Sequence, residues 1–251
     1  MAWSGRYDGD EPQRVNKWLA QSGVCSRREA EALIAQGLVA IDGETVADAG
    51  RKILPGQTLT LADAGGAGPL SVVLHKPMGY VSAQPEAGQI PAVRLLTREA
   101  LVGDSPQIPG RDTRLAPLGR LDMDSRGLLI LSEDGVLAKA IIGPESDLEK
   151  EYLVKVTGKI TPEKIKLLCH GLKLDGRPLK PARVSHVQGQ ELRFILKEGR
   201  NRQIRRMCEL VGMHVMDLVR IRIGGLVLGD LPEGRWRVLQ PHERAMLTGR
   251  A

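Results

Sequence analysis

Two acidic side chains, Asp122 and Asp124, stand in residues 119–127, between Arg120 and Arg126. Carboxylates at this spacing could act as a general acid and base, or one of them could act as a nucleophile. They could also ligate a metal ion, but no third ligand lies nearby in the sequence. The alternative is a purely structural role, in a turn where the aspartates accept hydrogen bonds from backbone amides. The residues alone leave these alternatives open.

A second segment, residues 199–206, has four arginines in seven positions: Arg200, Arg202, Arg205 and Arg206. The apolar residues of this region recur at the spacing of one helix face; they are Ile204, Met207, Cys208 and Val211. Arginine forms paired hydrogen bonds with phosphate or carboxylate groups, so a basic helix here suits either. The alternative is a solvated charged face.

The overall charge agrees with a polyanion as partner. The chain of 251 residues carries 36 Lys and Arg against 30 Asp and Glu, a formal net charge of +6. Apolar residues make up 42% and charged residues 26%, the balance of a globular chain. Aromatic residues make up only 3%. Tyr152 is one of them, and its alternating segment predicts a strand in which half-buried packing is the default role.

Several functional classes are disfavoured by what the sequence lacks. Three cysteines lie far apart without a CxxC pair, and five histidines show no ligand spacing, so we expect no disulfide framework and no metal site. A dinucleotide fingerprint and a P-loop are also absent, so no cofactor is expected. No apolar segment approaches 18 residues, and no apolar run follows the first residues. We therefore expect a cytoplasmic protein without a membrane segment.

The elements around these residues indicate two domains. Ser26 and Glu29 form a capping box that starts a helix, and Asp42-Gly43 predicts a β-hairpin between short apolar runs. The boundary is a run of glycine and alanine that is too flexible to pack. The chain is thus divided into a disordered tail, a small module, a linker and a larger domain, at residues 1–11, 12–62, 63–70 and 71–248.

Strand signals dominate the larger domain. Apolar or alternating runs predict strands at residues 72–74, 128–131, 152–156 and 192–196. Helices are predicted to begin at Thr161, where an N-cap precedes proline and glutamate, and at Arg202 in the basic segment. Residues 97–116 are predicted to be irregular. The composition of elements is that of an α+β fold.

Several motifs together carry a resemblance. Residues 119–129, Gly-Arg-Leu-Asp-x-x-Ser-x-Gly-Leu-Leu, resemble the catalytic signature of the RsuA/RluA-type RNA pseudouridine synthases. Residues 75–79, 149–154 and 201–209 are similar to three further motifs of that family, in the same order. Residues 14–61 resemble the S4-like RNA-binding module that precedes the catalytic domain in this group. The likeness is closest to the RluF type, which modifies large-subunit (23S) ribosomal RNA.

The resemblance implies a role for each candidate residue. Asp122 would be the catalytic carboxylate and Arg205 its paired cation. Tyr152 would stack on the target base, and a second role, in which its hydroxyl helps to remove the proton of the base, stays open. Arg120 would fill the space that the flipped base leaves. Other basic residues would contact the RNA; they are Arg14, Lys17, Arg27, Arg28, Lys76, Arg200, Arg202 and Arg206. An ionised Asp122 in a closed pocket needs a nearby guanidinium to offset desolvation, which is the reason to expect the Asp122–Arg205 pair.

The implied fold is a small αL-type S4-like domain followed by a catalytic domain with a mixed, largely antiparallel sheet flanked by helices. We expect a monomer that acts on ribosomal RNA of the large subunit. Two departures bear on the target: the loop at 97–117 is longer than that of the family, and the lysine-rich C-terminal extension of some members is not seen in this sequence. In addition, His75 stands where the family usually has Asn. Two rival functions stay open. One is the same chemistry on small-subunit (16S) RNA, and the other is a non-catalytic ribosome-associated RNA-binding protein.

Overall fold

The computed structural model describes residues 3–62, 69–105, 107–110 and 113–249. Its contacts divide the chain into two units, residues 1–70 with 134–139 and residues 71–133 with 140–251. Most of the predicted linker, residues 63–68, lies outside the described residues.

The first unit is a small α/β module with two antiparallel sheets. Its elements are β1 (Trp3–Arg6), β2 (Gln13–Arg14), α1 (Val15–Gln21), α2 (Arg27–Ala35), β3 (Val39–Ile41), β4 (Glu44–Thr45), β5 (Lys52–Ile53) and β6 (Thr58–Leu61). The strands pair in the order β1-β6-β3-β4, and β2 pairs with β5. Apolar residues from both helices and from the strands form one buried cluster.

The prediction that residues 1–11 are a disordered tail is wrong. Strand β1 pairs antiparallel with β6 along its whole length, and Tyr7 is buried. The ring of Trp18 lies 5.6 Å from the rings of both Trp3 and Tyr7. The segment is too short and too rich in glycine to show periodicity in sequence, but its two aromatic rings supply enough apolar area to hold it in place.

Local signals in this unit are confirmed. Ser26 Oγ accepts a hydrogen bond from the amide of Glu29, and the Glu29 carboxylate accepts one from the amide of Ser26. Asp42 and Gly43 both have positive φ angles, 48° and 88°, between the paired strands β3 and β4. These angles define the turn that joins the two strands of a tight hairpin.

The second unit holds most of the strands. Its elements begin with β7 (Ser71–Lys76), β8 (Tyr80–Val81), β9 (Ile90–Pro91), a 3₁₀ turn (Ala92–Leu95), β10 (Ala116–Pro117), β11 (Arg126–Ser132), α3 (Gly135–Ile142), β12 (Lys150–Thr157) and α4 (Pro162–Cys169). They continue with β13 (Lys173–Leu174), β14 (Arg177–Pro178), β15 (Arg183–Gln188), β16 (Glu191–Leu196), α5 (Gln203–Leu210), β17 (His214–Ile223), β18 (Leu226–Val227), β19 (Trp236–Val238) and α6 (Pro241–Thr248). Residues 135–139 of α3 cluster with the first unit.

The main sheet is mixed and largely antiparallel, as the family resemblance implies. Its strands run in the order β15-β16-β12-β17-β11-β7-β19, with β10 added beside β11 and β18 beside β17. Strands β11 and β17 are paired in parallel, and the other neighbours are antiparallel. Strands β7 and β11 are buried along nearly their whole length, which explains why both read as continuous apolar runs.

A close contact between two strands fixes where the acidic segment ends. Gly127 has φ +110°, and a Cβ atom there would lie 2.3 Å from the backbone oxygen of Arg220 on β17. A side chain at this position would push the strands apart, so the glycine is required. Strand β11 therefore begins at a fixed point, two residues after Asp124.

The long loop at residues 97–117 is anchored at its start. Trp236, fully buried on β19, donates a hydrogen bond from its indole nitrogen to the backbone oxygen of Thr97 at 2.7 Å. The amide of Val102 donates to the backbone oxygen of Trp236 at 2.8 Å. One buried tryptophan therefore ties this insertion to the edge strand. Residues 106, 111 and 112 of the loop lie outside the described residues.

Candidate active site

The segment that carries Asp122 joins β10 to β11 and is fixed on both sides of that residue. Ser82 Oγ donates to the backbone oxygen of Leu121 at 2.7 Å and accepts from its amide at 2.9 Å. The amide of Gly79 donates to the backbone oxygen of Met123 at 2.8 Å. The residues directly before and after Asp122 are therefore both tied to the segment that follows β7. This arrangement restricts the backbone at Asp122.

Arg220 supports the same segment from beneath. Its side chain is almost fully buried on β17. Its Nε donates to the backbone oxygen of Leu128 at 2.8 Å, and Nη2 donates to that of Gly119 at 2.8 Å. A third bond, of 3.4 Å, runs from Nη1 to the backbone oxygen of Arg120. A buried guanidinium held by carbonyl oxygens joins the start of the acidic segment to the strand after it.

The predicted ion pair between Asp122 and Arg205 is wrong for this structure. The cation nearest to Asp122 is Arg202, whose Nη1 lies 3.9 Å from Asp122 Oδ2. Arg205 instead contacts Asp124: its Nε lies 3.3 Å from Asp124 Oδ2, and its Nη2 donates to the Asp124 backbone oxygen at 2.6 Å. Sequence could not separate the two aspartates, because residues two apart in a turn can exchange partners after a small backbone rotation.

Asp124 is the more strongly paired of the two carboxylates. Burial favours its neutral form, but hydrogen bonds from Arg202 and the charges of Arg205 and Arg202 outweigh this, so the pKa of Asp124 lies below its usual value. Asp122 differs in its pairing and not in its exposure: its side chain is 36% exposed against 44% for Asp124, but it accepts no hydrogen bond from any residue that the structure describes. The acid that the family resemblance assigns to catalysis is thus open to a ligand.

Arg205 is positioned by helix α5. The predicted apolar stripe of this helix is confirmed, because Ile204, Met207 and Cys208 are buried and so is Val211 just after it. Burial of that stripe carries Arg205 inward, where its side chain is 10% exposed. Its Nη1 donates to the backbone oxygen of Val215 at 3.2 Å. The guanidinium is therefore part of the floor of the site.

Tyr152 lies on the central strand β12, where it is 8% exposed. Its neighbours across the sheet are Phe194 on β16 and Arg220 on β17. The side chain is nevertheless one of those that line the cleft containing Asp122. Tyr152 therefore packs within the sheet and also borders the cleft, and its role toward a substrate base stays a prediction.

These residues surround an open cleft of about 350 Å³ within the second unit. Its lining includes Asp122, Tyr152 and Arg205, together with Arg120 and Arg220. Eight lining side chains are basic and two, Asp122 and Glu198, are acidic; the other basic ones are Lys150, Lys180, Lys197, Arg200 and Arg202. A cleft with this imbalance favours an anionic ligand.

Lys76 is not an RNA contact, contrary to the prediction. It is fully buried on β7, and its Nζ donates to the backbone oxygen of Pro77 at 2.8 Å. Burial lowers the pKa of this amine to about 8, although Asp122 and Asp124 act in the opposite direction. The amine contributes positive charge beneath the acidic segment and has no access to a phosphate.

The other predicted contacts fall into two groups. Arg120 is exposed at the cleft, and the four basic residues of the first unit are exposed on its surface: Arg14, Lys17, Arg27 and Arg28. Arg200 and Arg206 instead hold the hairpin of β13 and β14. Arg200 donates to the backbone oxygen of Arg177 at 3.2 Å, and Arg206 pairs with Asp175 at 3.0 and 2.6 Å. Their guanidiniums are committed within the protein.

The described residues contain no cluster of three His, Cys, Asp or Glu side chains placed to hold a metal ion. Among the described helices, none is both long enough and apolar enough to cross a membrane. What the cleft offers is one open carboxylate, a tyrosine and several cations. This set can supply a nucleophile or base, a stacking surface and electrostatic stabilisation.

Sequence analysis missed Ser82, Arg220 and the part played by Asp124. Serine gives no sequence signal for a contact with a residue 39 positions later. Arg220 did leave a signal in the sequence, because it stands among the apolar residues of one strand. In the structure it is buried together with Val215, Leu218 and Ile223 of that strand. An arginine among the inward positions of a strand indicates buried partners, because an unpaired charge is costly there.

Comparison with known proteins finds similarity to RNA pseudouridine synthases over most of the chain. Residues 71–210 match the family model described as RNA pseudouridylate synthase, and residues 13–59 match the S4 domain. The chain is 36% identical over 241 residues to an uncharacterized RNA pseudouridine synthase of Aquifex aeolicus, covering 93% of each. It is 37% identical over 239 residues to the dual-specificity RNA pseudouridine synthase RluF of Escherichia coli, covering 93% of this chain and 78% of that protein.

Two further similarities extend over most of the chain. The ribosomal large subunit pseudouridine synthase B of Bacillus subtilis is 33% identical over 240 residues, covering 92% of this chain and 93% of that one. A crystal structure of a pseudouridylate synthase superposes with a TM-score of 0.64 at 28% identity, covering 93% of this chain and 99% of the other. Each of these two matches spans more than nine-tenths of this chain.

Proposed function

Because the chain belongs to the RNA pseudouridine synthase family, we propose that it isomerises uridine to pseudouridine in large-subunit ribosomal RNA, with Asp122 as the reacting carboxylate. The observation that carries this assignment is that Asp122 lies open in a basic cleft, on a segment pinned at Leu121 and Met123. The name of the Bacillus subtilis relative supports the large subunit as the target. A ribosomal RNA substrate also supports a cytoplasmic location.

The reaction needs one carboxylate and no redox partner. The N1–C1′ bond of uridine breaks, the base turns, and a C5–C1′ bond forms; the C5 proton leaves and N1 ends protonated. Asp122 can serve either by attacking C1′ or by removing a proton from C2′, and both routes use the same open oxygens. The fixed backbone around Asp122 supplies the orientation that such a step needs.

A uridine in structured RNA must leave its stack to reach Asp122, at a cost of a few kcal/mol. The cleft of about 350 Å³ accommodates one nucleotide rather than a duplex. The ring of Tyr152 provides a face for the flipped base, and Arg120, exposed at the cleft, can stack where the base was. All groups of this assignment come from one chain, so we propose that the protein acts as a monomer.

The basic surface of the first unit would hold the RNA. Arg27 and Arg28 are the first two residues of α2 and are exposed. Positive charge is unfavourable at a helix N-terminus, where it opposes the helix dipole. Two arginines at a position where they destabilise the helix are consistent with selection for binding a phosphate backbone. Arg14 and Lys17 of the same unit are also exposed, and we assign them to the RNA-binding surface as well.

The test is Asp122→Asn. We expect the variant to fold and to bind ribosomal RNA as the wild-type protein does, but to release no tritium from RNA labelled at uridine C5. Retained turnover would contradict the role of Asp122. Wild-type protein that binds RNA without releasing tritium would favour the rival function of a non-catalytic RNA-binding protein.

The target is tested separately by mapping pseudouridine in both ribosomal RNAs from cells with and without the gene. We expect one or a few sites to disappear from the large-subunit RNA and none from the small-subunit RNA. A site lost only from the small subunit would leave the chemistry intact and overturn the proposed target.

A further inference from the structure

Three lysines of the cleft have no carboxylate partner. Lys150, Lys180 and Lys197 all belong to the lining. Within the part of the chain that the structure describes, the Lys150 amine donates only to backbone oxygens, and the amines of Lys180 and Lys197 have neither a hydrogen bond nor an ion pair. Their positive charges are therefore not balanced by direct contacts.

Most arginines around these lysines are bound within the protein. Four of the five that line the cleft contact carboxylates or backbone oxygens; they are Arg200, Arg202, Arg205 and Arg220. The lining carboxylate of Glu198 is occupied too, since Oε2 accepts from Arg200 Nε at 3.3 Å and Oε1 accepts from the Lys180 amide at 2.9 Å and from Gln203 at 3.2 Å. The three lysines are left, together with Arg120, for a ligand.

The three lysines lie at one end of the cleft. Lys150 is the first residue of β12 and pairs across the sheet with Leu196, the last residue of β16. Lys197 follows directly. Lys180 is tied to the same place, because its amide donates to the side chain of Glu198, the next residue along the chain. Strand pairing and one hydrogen bond thus bring together cations from three separate segments.

Lys150 is the least exposed of the three. Its Nζ donates to the backbone oxygens of Leu148 and Ile141 at 3.2 and 3.4 Å, which uses two of the three hydrogens of the ammonium group. Burial lowers the pKa of Lys150, and the charges of Arg220 and Lys180 act in the same direction. An anion in the cleft would favour the charged form of this amine.

A structural role explains only part of this arrangement. Ile141 lies in the last turn of α3, so the bond from Lys150 helps to cap that helix. The cap does not involve Lys180 or Lys197, whose side chains are exposed at the cleft. Two further lysines beside a buried one raise the repulsion among them, which an anionic ligand would offset.

Phosphate is the anion that the proposed substrate brings. The base and sugar of a uridine are neutral, whereas each phosphodiester beside it carries one negative charge and two free oxygens. Lysine binds such a group as a point charge with several donors. Lys150 and Tyr152 are two residues apart on β12 and both line the cleft, so a phosphate held by the lysines would lie beside the ring assigned to the flipped base.

We propose that Lys150, Lys180 and Lys197 form a phosphate subsite that binds one of the two phosphodiesters flanking the flipped uridine. The inference rests on the proposed function, because the nucleotide that reaches Asp122 is what carries the phosphate into the cleft. The subsite holds the nucleotide by its backbone, at the end of the cleft formed by β12 and β16.

The test is a double-mutant cycle between protein and RNA. A synthetic RNA carries the target uridine, labelled with tritium at C5, and an uncharged methylphosphonate at either its 5′ or its 3′ linkage. The protein variant combines Lys180→Gln with Lys197→Gln, two exposed side chains. We expect kcat/KM to fall about 10- to 100-fold in this variant on unmodified RNA, and by a similar factor in wild type when the contacted linkage is neutral.

At the contacted linkage the two losses should not multiply. The variant has already lost the contact, so the methylphosphonate should lower its kcat/KM by no more than about twofold. At the other linkage any loss seen in wild type should recur in full in the variant. The linkage that shows the non-additive loss identifies the phosphate. Lys150→Gln should behave in the same way at that linkage.

Lys155→Gln is the matched control. Lys155 is an exposed lysine of the same strand, β12, and is not part of the lining. Its replacement removes the same charge from the protein, so it measures any effect of net charge alone. We expect kcat/KM within about twofold of wild type, and the same response to each methylphosphonate as in wild type.

Three results would overturn the proposal: wild-type kcat/KM in the double lysine variant, no loss in wild type from either methylphosphonate, or losses that multiply at both linkages. A wild-type protein that releases no tritium from unmodified RNA would instead contradict the proposed function itself, so the two failures are distinguishable.

Discussion

Two helices of this protein begin among arginines, and their surroundings differ. At the start of α2, Arg27 and Arg28 are exposed, and neither guanidinium has a hydrogen bond or ion pair with the described residues. The neighbouring glutamates are occupied elsewhere: Glu29 caps the helix, and Glu31 accepts from Asn16. The positive charge of this surface is left for a partner.

At the start of α5, by contrast, the arginines have partners within the protein. Arg202 and Arg205 contact Asp124, and Arg206 pairs with Asp175. Arginine therefore forms an exposed surface without partners among the described residues in one region, and ion pairs with carboxylates in the other. Composition and helical periodicity do not separate these uses. What separates them is whether a carboxylate or carbonyl lies within reach.

The largest effect expected from this comparison is that of Arg205→Ala. The side chain has four partner groups in the floor of the site, so its removal should destabilise the fold by about 1–3 kcal/mol and lower kcat about 100- to 1,000-fold. Thermal unfolding and single-turnover tritium release measure the two effects. Turnover like that of wild type would show that α5 is no more than a surface helix.

A smaller effect is expected on the exposed side of the comparison, from Arg27→Ala combined with Arg28→Ala. RNA affinity should fall, and the slope of log affinity against log salt should decrease by about 2, because two phosphate contacts are lost. The helix itself should become slightly more stable, by roughly 0.3–1 kcal/mol per residue, since the cations oppose its dipole. At saturating RNA, kcat should not change. An unaltered salt slope would contradict a binding role.

Lys76 is a third kind of cation in this protein: it is neither exposed, as Arg27 and Arg28 are, nor paired with a carboxylate, as Arg202 is. Its pKa is about 8 in the folded protein, below the ordinary value of 10.5. The unfolded chain therefore binds more protons than the folded one between about pH 8 and 10.5, and this residue adds stability as the pH rises through that window. Below pH 8 the buried charge opposes folding.

The measurement is thermal unfolding of wild type and Lys76→Met between pH 7 and pH 10. Methionine has similar length without the charge, so the variant should gain most relative to wild type near pH 7, and the difference should shrink towards pH 10. A difference that does not depend on pH would show that Lys76 is not held in an environment that disfavours its charge.

The smallest effect is expected from Arg206→Ala. Its partner Asp175 is exposed, and such surface pairs contribute little to stability. Because the guanidinium is committed to Asp175, the salt slope of RNA binding should stay the same, in contrast to the double variant on α2. A slope lowered by about 1 would show that Arg206 leaves Asp175 for a phosphate when RNA binds.

Much of the fold could be read from local patterns. The capping box at Ser26, the turn at Asp42-Gly43 and the apolar run before Ser132 each determine their element through bonds or packing that neighbouring residues supply. The same holds for the apolar stripe of α5. The N-terminal strand β1 could not be predicted, because it depends on pairing with β6 and on a ring of α1.

The residue types by themselves determined that the chain has a carboxylate in a glycine-bounded segment, a basic helix and a small N-terminal module, and the resemblance to the S4-like module added that this module binds RNA. Tertiary structure alone decided which aspartate each arginine meets, that Lys76 is buried, and that Ser82 and Arg220 fix the segment around Asp122. The physical reason is distance. Hydrogen bonds and ion pairs act over 3 to 4 Å, and chain separations of 39 to 101 residues give no sequence pattern that reports such contacts.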